Sequence, residues 1–163
     1  MQLIDNALFR ALCAEAEDAP RRRAHHLLHD SRDEPVQRML IAAQPGTYFR
    51  PHRHLTPPKW ELLLVLKGAA DWLGFDDGGT VTGRIKAGAH KPAKGLEAPP
   101  GAWHALVCLA PDTVLLECKP GPAAPVAERD LAPWSPPEGS GAAADYVRWM
   151  VKAEPGQRFA PPG

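Results

Sequence analysis

The pattern of apolar and polar residues changes from a helical period near the N-terminus to short strand-like runs further along the chain. Leu8, Leu12 and Ala16 recur at the spacing of one helix face. They predict an amphipathic helix over residues 5–17. From residue 36 onward, apolar residues come in short runs between glycines, prolines and aspartates, as in proteins of short strands and tight turns. The predicted strands are 36–43, 48–54, 61–66, 70–75, 81–85, 105–109 and 113–119, and residues 142–151 predict a closing helix.

This order of elements predicts one all-β domain with a helix near each end. A chain of 163 residues has the length of a single domain and can bury a real core. We expect three parts: an N-terminal helical segment packed on a barrel (1–35), the barrel itself (36–120), and a region of coil, short helix and frayed tail (121–163).

Three histidines and one glutamate have the spacing of a shared metal site. His52 and His54 are two residues apart, so on one strand both point to the same face, about 6.6 Å from each other. Glu61 begins the next predicted strand, and His104 follows a Pro-x-Gly turn. Three imidazoles and one carboxylate suit borderline divalent metals such as zinc, iron, manganese or nickel. We therefore predict one divalent transition metal ion per chain, held by these four residues near one mouth of a small barrel.

The same residues make the chain resemble a cupin. The two cupin motifs are matched at Gly46, His52, His54, Glu61 and Gly68, and then at Pro99, Gly101 and His104. Two positions depart from the pattern: six residues separate His54 from Glu61, which is a long gap, and Cys108 stands where the second motif has asparagine. The resemblance implies a small cupin barrel, that is, a double-stranded β-helix or jelly roll, with a bound metal.

A closer resemblance is to the WbuC-type cupin-fold metalloproteins of bacteria, which are often linked with O-antigen gene clusters. It is carried by segments such as "DEPVQRMLIAAQPGTYFRPHRH" and "PPGAWHALVCLAP". The resemblance implies a sugar, or a sugar derivative of cell-surface polysaccharide biosynthesis, as the substrate, and it implies no defined reaction.

Strand alternation also predicts which other residues face the metal. If residues 48–54 form one unbroken strand, Tyr48 and Arg50 share the inward face with both histidines. Arg50 would then bind an acidic substrate group through paired hydrogen bonds, or else pair with a carboxylate at the barrel rim. Tyr48 is the one inward candidate for a catalytic acid or base. The arginines at 21–23 predict either a solvated turn or an anion-binding rim, and Cys108 is expected to be buried.

Composition narrows the partners and the compartment. Lysine plus arginine and aspartate plus glutamate both number 19, so overall charge gives no reason to expect nucleic acid or an anionic membrane surface as a partner. Three cysteines, an odd number, argue against a disulfide framework and suit the reducing cytoplasm. No segment has the length and apolarity of a membrane span, and the N-terminus lacks a signal-peptide core. The predicted strand 61–66 is apolar on both faces, which favours cover by the N-terminal helix or by a second subunit in a homodimer.

Two classes of function remain open. The first is a metalloenzyme that acts on a small molecule, with isomerase and oxygenase chemistry both compatible with the ligand set. The second is a non-catalytic module that senses or binds a small ligand through its metal.

Overall fold

The computed structural model describes residues 1–161, and these form two antiparallel sheets with a helix on the outer face of each. The helices are α1 (Asn6–Asp18) and α2 (Gly141–Met150), with a 3-10 turn at Glu128–Asp130. The strands are β1 (Arg23–Leu27), β2 (Val36–Ala43), β3 (Glu61–Lys67), β4 (Ala69–Phe75), β5 (Val81–Gly88), β6 (Gly95–Ala98), β7 (Trp103–Cys108) and β8 (Thr113–Pro120).

The two sheets face each other and enclose the barrel interior. The larger sheet has the strand order β1-β2-β8-β3-β6, and the smaller has the order β5-β4-β7. Alternate residues of both sheets point inward because side chains on a strand alternate between its faces. The inner core includes Ile41, Leu63, Trp72, Leu106, Cys108 and Leu115. This arrangement confirms the predicted all-β jelly-roll barrel, with an N-terminal helix and a short C-terminal helix.

Each helix covers the outer face of one sheet. Asp5 caps the N-terminus of helix α1, where its carboxylate accepts hydrogen bonds from the backbone N–H groups of Ala7 and Leu8 at 3.0 and 2.9 Å. Its buried residues pack on the outer side of β1, β2 and β8. Helix α2 packs on the smaller sheet, where Tyr146 and Met150 are fully buried. The larger sheet is therefore sandwiched between α1 and the barrel interior over three of its strands.

The outer side of β3 is less well covered. Leu62 and Leu64 are half-buried there, and Leu66 is 36% exposed. That a second subunit covers this part of the surface therefore remains a prediction. No helix within residues 1–161 is long and apolar enough to cross a membrane.

Three structural predictions need correction. Residues 23–27 form β1, so the sheet begins inside the segment predicted to be helical, and residues 95–98 form β6, which is not among the predicted strands. Residues 48–54 do not form a strand, because Pro51 has no N–H to donate and only His52 makes a bridge.

The predicted frayed tail is also ordered where it is described. Arg158 makes a β-bridge with Thr80, and the ring of Phe159 packs 4.8 Å from that of Tyr146. Residues 162 and 163 of the predicted tail lie outside the described part of the chain.

Candidate metal centre

The fold brings together all four residues predicted to bind the metal. His52, His54, Glu61 and His104 each offer one ligand atom, and these atoms lie within 4.8 Å of one another. The imidazole centroids are 4.6 Å apart for His52 and His104 and 5.0 Å apart for His52 and His54. The Glu61 and His104 side chains are only 4% and 8% exposed. The cluster is thus compact and largely shielded from solvent.

Backbone hydrogen bonds fix the positions of the three histidines. His52 and His104 face each other across a bridge in which each N–H donates to the other's carbonyl, at 3.0 and 2.9 Å. The carbonyl of His54 accepts a 3.1 Å hydrogen bond from the N–H of Gly101. Gly101 lies in the Pro-x-Gly turn with a φ of +79°, a conformation that glycine adopts without steric cost. The turn that precedes His104 therefore also anchors His54.

Hydrogen bonds to the backbone also orient two of the imidazole rings. Nδ1 of His52 lies 2.9 Å from the carbonyl oxygen of Arg50, and Nδ1 of His104 lies 2.9 Å from that of Ala102. A carbonyl only accepts, so Nδ1 carries the proton in both rings. This leaves Nε2 of each ring directed at the cluster, the arrangement in which metal-binding histidines are commonly held.

The protonation states of the cluster residues suit a metal site, in which a bound ion displaces protons from its ligands. Burial and the neighbouring His104 lower the pKa of His52 to about 3, so its imidazole is neutral. Burial alone would lower the pKa of His104, but its 3.2 Å contact with the Glu61 carboxylate outweighs this effect and raises it. Burial opposes ionisation of Glu61, yet contacts with His104, His54 and Lys119 hold its pKa well below the usual range.

One buried donor atom in the cluster lacks a well-aligned hydrogen bond. Nε2 of His54 lies 3.3 Å from a carboxylate oxygen of Glu61, but it has no hydrogen-bond partner of good geometry within residues 1–161. A metal ion with ligand bonds of about 2.1 Å needs donor atoms about 3–4 Å apart. The four donors therefore fit one ion after a small contraction, which would also give Nε2 of His54 a partner.

Two further charged residues lie beside the ligands, in positions that strand alternation along the sequence does not predict. Lys119 places its ammonium 3.2 Å from Glu61 and 2.7 Å from Glu117. Burial and the nearby Glu61 raise the pKa of Glu117 to about 7, and the two carboxylates keep that of Lys119 above its usual value despite burial. The register of β8 against β3 pairs Glu117 with Leu63, an inward residue, and this pairing is the signal that would have identified both side chains.

The cluster lies in the wall of a cavity of about 470 Å³. His52, Glu61 and His104 all line it. Glu117 adds a second carboxylate, and the rest of the lining is of two kinds. The apolar part comprises Met39, Ile41, Phe49, Leu63, Trp72, Leu106 and Pro125, and the basic part comprises Arg21, Arg23, His25, Arg32 and Lys119.

The predicted inward orientation of Tyr48 and Arg50 is wrong. Arg50 donates to the hydroxyl of Ser135 at 3.2 Å and to the carbonyl of Ala132 at 3.1 Å, and Tyr48 donates to the carbonyl of Pro136 at 2.9 Å. Neither residue lines the cavity. Phe49, which strand alternation would turn away from Tyr48 and Arg50 and so outward, lines it instead. The prediction assumed strand alternation, and residues 48–54 do not alternate in this way because they do not form a strand.

A buried aspartate holds the segment between the first two histidines. Arg53 lies 3.3 Å from Asp130 and stacks on Trp103, with its guanidinium carbon 4.4 Å from the ring centroid. Asp130 also accepts a 2.9 Å hydrogen bond from the N–H of Thr56, and its carbonyl accepts one of 2.9 Å from the N–H of Arg53. No local pattern in the sequence marks Asp130, which lies 77 residues from its partner Arg53.

Comparison with known proteins places this geometry in a family and a fold. A family model described as "Domain of unknown function (DUF6016)" matches residues 4–87. No curated protein sequence matches the chain.

Solved structures with the same fold include an oxalate oxidase in complex with the substrate analogue glycolate, at 16% identity and a TM-score of 0.52, covering 68% of this chain and 56% of that one. The DMSP lyase DddQ from Ruegeria pomeroyi has 20% identity and a TM-score of 0.50, covering 66% and 52%. The protein TT1209 from Thermus thermophilus has 20% identity and a TM-score of 0.50, covering 74% and 98%. The chain thus spans just over half the length of the first two, which are cupin-fold proteins, and it shares their fold.

Proposed function

The chain belongs to the DUF6016 family, and from that premise and the geometry of its site we propose that it is a mononuclear metal-dependent cupin enzyme that acts on a small molecule. The observation that carries the proposal is the convergence of His52, His54, Glu61 and His104 on one point in the wall of a cavity. A structural metal site is usually closed by its protein ligands, whereas a catalytic site keeps a position open. On an ion that takes six ligands, four protein ligands would leave two positions for a substrate, which could reach the cluster from the cavity that His52, Glu61 and His104 line.

The bound ion would supply a Lewis acid that polarises an oxygen of the substrate. Isomerase and oxygenase chemistry both use such a site, and we propose the protein belongs to one of these classes. The ion itself would be zinc, iron, manganese or nickel, which all accept nitrogen and carboxylate ligands.

The chain's own residues would bind, orient and shield the reacting groups. The hydrogen bonds from Nδ1 of His52 and His104 keep Nε2 of both rings directed at the cluster, where the ion would bind. Phe49, Trp72 and Leu106 would exclude water from one side of the substrate. Because apolar side chains lower the local dielectric constant, they would strengthen the electrostatic interactions between the substrate and the charged side of the cavity.

We further propose a sugar or sugar derivative as the substrate, as the WbuC-type resemblance implies. A cavity of about 470 Å³ is within the usual range for small-molecule sites and accommodates a monosaccharide derivative. The three free cysteines suit a reducing compartment, so we propose the cytoplasm as the place of action.

The test is a screen of metal-loaded protein for turnover. Protein stripped with a chelator would be reloaded with each of the four metals and assayed for dioxygen uptake and for conversion of small sugars and hydroxy acids. We expect turnover with at least one metal, lost in His104→Ala and kept in His90→Ala, a control that removes an exposed histidine outside the cluster. Tight ligand binding without turnover in every case would identify a binding or sensor module instead.

A further inference from the structure

We propose that the substrate is a small anion whose carboxylate or phosphate group is bound by the basic rim of the cavity, with Arg32 as its principal contact. This inference rests on the proposed function, because the rest of the substrate would reach the metal from that rim. It names the chemical class that the cavity selects.

The inner face of β1 is the first observation. Along this strand Ala24 points toward α1 and is buried, while Arg23 and His25 point the other way and line the cavity. The face of a strand that is turned toward a barrel interior usually presents apolar residues. Here the strand places basic groups opposite the apolar wall, so the cavity has one charged side and one apolar side.

The charges around the cavity are the second observation. Four cationic side chains line it, against the two carboxylates of Glu61 and Glu117, in a chain whose net charge is zero. The cations are Arg21, Arg23, Arg32 and Lys119. A bound divalent ion would add to this excess. A concave site lined mainly by one sign of charge concentrates ligands of the opposite sign.

The four cations differ in how far they are already paired. Arg21 and Arg23 both bind the carboxylate of Glu138, at 2.6 and 2.7 Å. Lys119 pairs with Glu61 in the metal cluster and with Glu117 beside it. Arg32 makes no ion pair or side-chain hydrogen bond with any residue in the range 1–161. Its five N–H donors are therefore the ones that a ligand can take without breaking an existing pair.

The backbone of Arg32 is held in place even though its side chain is exposed. Its carbonyl accepts hydrogen bonds from the N–H of Ala123 at 2.7 Å and from the amide of Gln37 at 3.1 Å, and Gln37 is fully buried. The guanidinium thus projects from a fixed point at the rim. Its planar fork matches a carboxylate or phosphate in a way that an ammonium does not.

The experiment compares charged and neutral probes of matched size by calorimetric titration. Ribose 5-phosphate with ribose tests the phosphate group, and succinate with succinamide tests the carboxylate. We expect the anion of at least one pair to bind ten times or more tightly than its neutral partner. Arg32→Ala should weaken binding of that anion about tenfold and leave the neutral probe unaffected, with Arg32→Lys between the two.

Arg10→Ala is the matched control, because it removes the same charge from an exposed position on α1 that does not line the cavity. Equal affinity for charged and neutral probes would overturn the inference. So would equal effects of Arg32→Ala and Arg10→Ala, or the failure of all four probes to bind at millimolar concentration.

Metal content measured in the same samples separates this inference from the proposed function. Protein that binds metal but shows no preference for anions overturns the inference and leaves the metal site standing. If the protein binds no metal, the proposed function is wrong. The charged and neutral probes are then compared on the metal-free protein, whose rim carries the same side chains.

Discussion

Replacing Asp130 tests whether the histidine pair is held in place by a network that lies outside the metal cluster. Asp130 is only 2% exposed and makes two side-chain contacts, one with the guanidinium of Arg53 and one with the N–H of Thr56. Arg53 lies between the two histidines, so its position determines how both of them are presented. Asp130→Ala removes both contacts and introduces no new charge.

The structure gives the size of the expected effect. The part-buried hydrogen bond from the N–H of Thr56 to the Asp130 carboxylate is worth about 1.5–3 kcal/mol, because its acceptor is charged. The pair with Arg53 adds about 1 kcal/mol at most, because the arginine side chain is 26% exposed and also stacks on Trp103. The sum is a loss of about 2–4 kcal/mol, or about 5–15 °C in melting temperature for a chain of this size. Metal affinity should fall about 10–100-fold, as is usual when a residue that supports the ligands is lost.

Thermal unfolding of the metal-free protein and metal titration of the folded protein would measure the two effects separately. Asp130→Asn keeps the acceptor for Thr56 and should lose only about 1 kcal/mol. Asp33→Ala, at an exposed position, should change stability by less than about 0.5 kcal/mol. A melting temperature and a metal affinity for Asp130→Ala equal to those of the Asp33 control would refute this account of the network.

Three further predictions concern packing, pH and assembly. A Cβ on Gly95 would lie 1.9 Å from the carbonyl oxygen of Leu63, so Gly95→Ala should displace β6 and cost about 1–3 kcal/mol in chemical denaturation, whereas Gly83→Ala, with open space around it, should not. Burial raises the pKa of the Cys108 thiol to about 12. The free energy of unfolding should therefore fall as pH rises above about 9, the pKa of this thiol in the unfolded chain, and should be lower by about 1.4 kcal/mol at pH 10. Cys108→Ala should not show this decrease, and identical pH profiles for the two proteins would contradict the prediction. The apolar side chains on the outer side of β3, which end at the exposed Leu66, predict a homodimer, so light scattering should give about twice the chain mass of 17.7 kDa. Leu66→Glu should halve the measured mass, and a monomeric wild type at micromolar concentration would contradict the prediction.

The parts of the site that the sequence predicted are those set by short, regular spacing. Glu61 begins a true strand, and His104 follows a true Pro-x-Gly turn, so both side chains lie where periodicity puts them. His52 and His54 reach the same cluster although their segment is not a strand. Their convergence depends on backbone hydrogen bonds to His104 and to Gly101, partners that only the folded chain supplies.

The parts that the sequence could not predict depend on contacts between distant segments. Tyr48 and Arg50 would face inward only if strand alternation continued through Pro51, and in the folded chain it ends there. Strand β1 was missed because only one of its five residues is buried, as expected for an edge strand with a basic inner face. Neither this face nor the pairing of Lys119 with Glu61 has a local sequence signal.

The most direct test of the account is the metal content of the purified protein and of single-ligand variants after loading and dialysis. Four ligand atoms within 4.8 Å of one another should hold one ion per chain in the wild type. His54→Ala and His104→Ala should lose most of that ion while remaining folded, and His90→Ala should keep it. Full occupancy in both ligand variants, or a wild type that retains no metal, would contradict the shared site on which the proposed function depends.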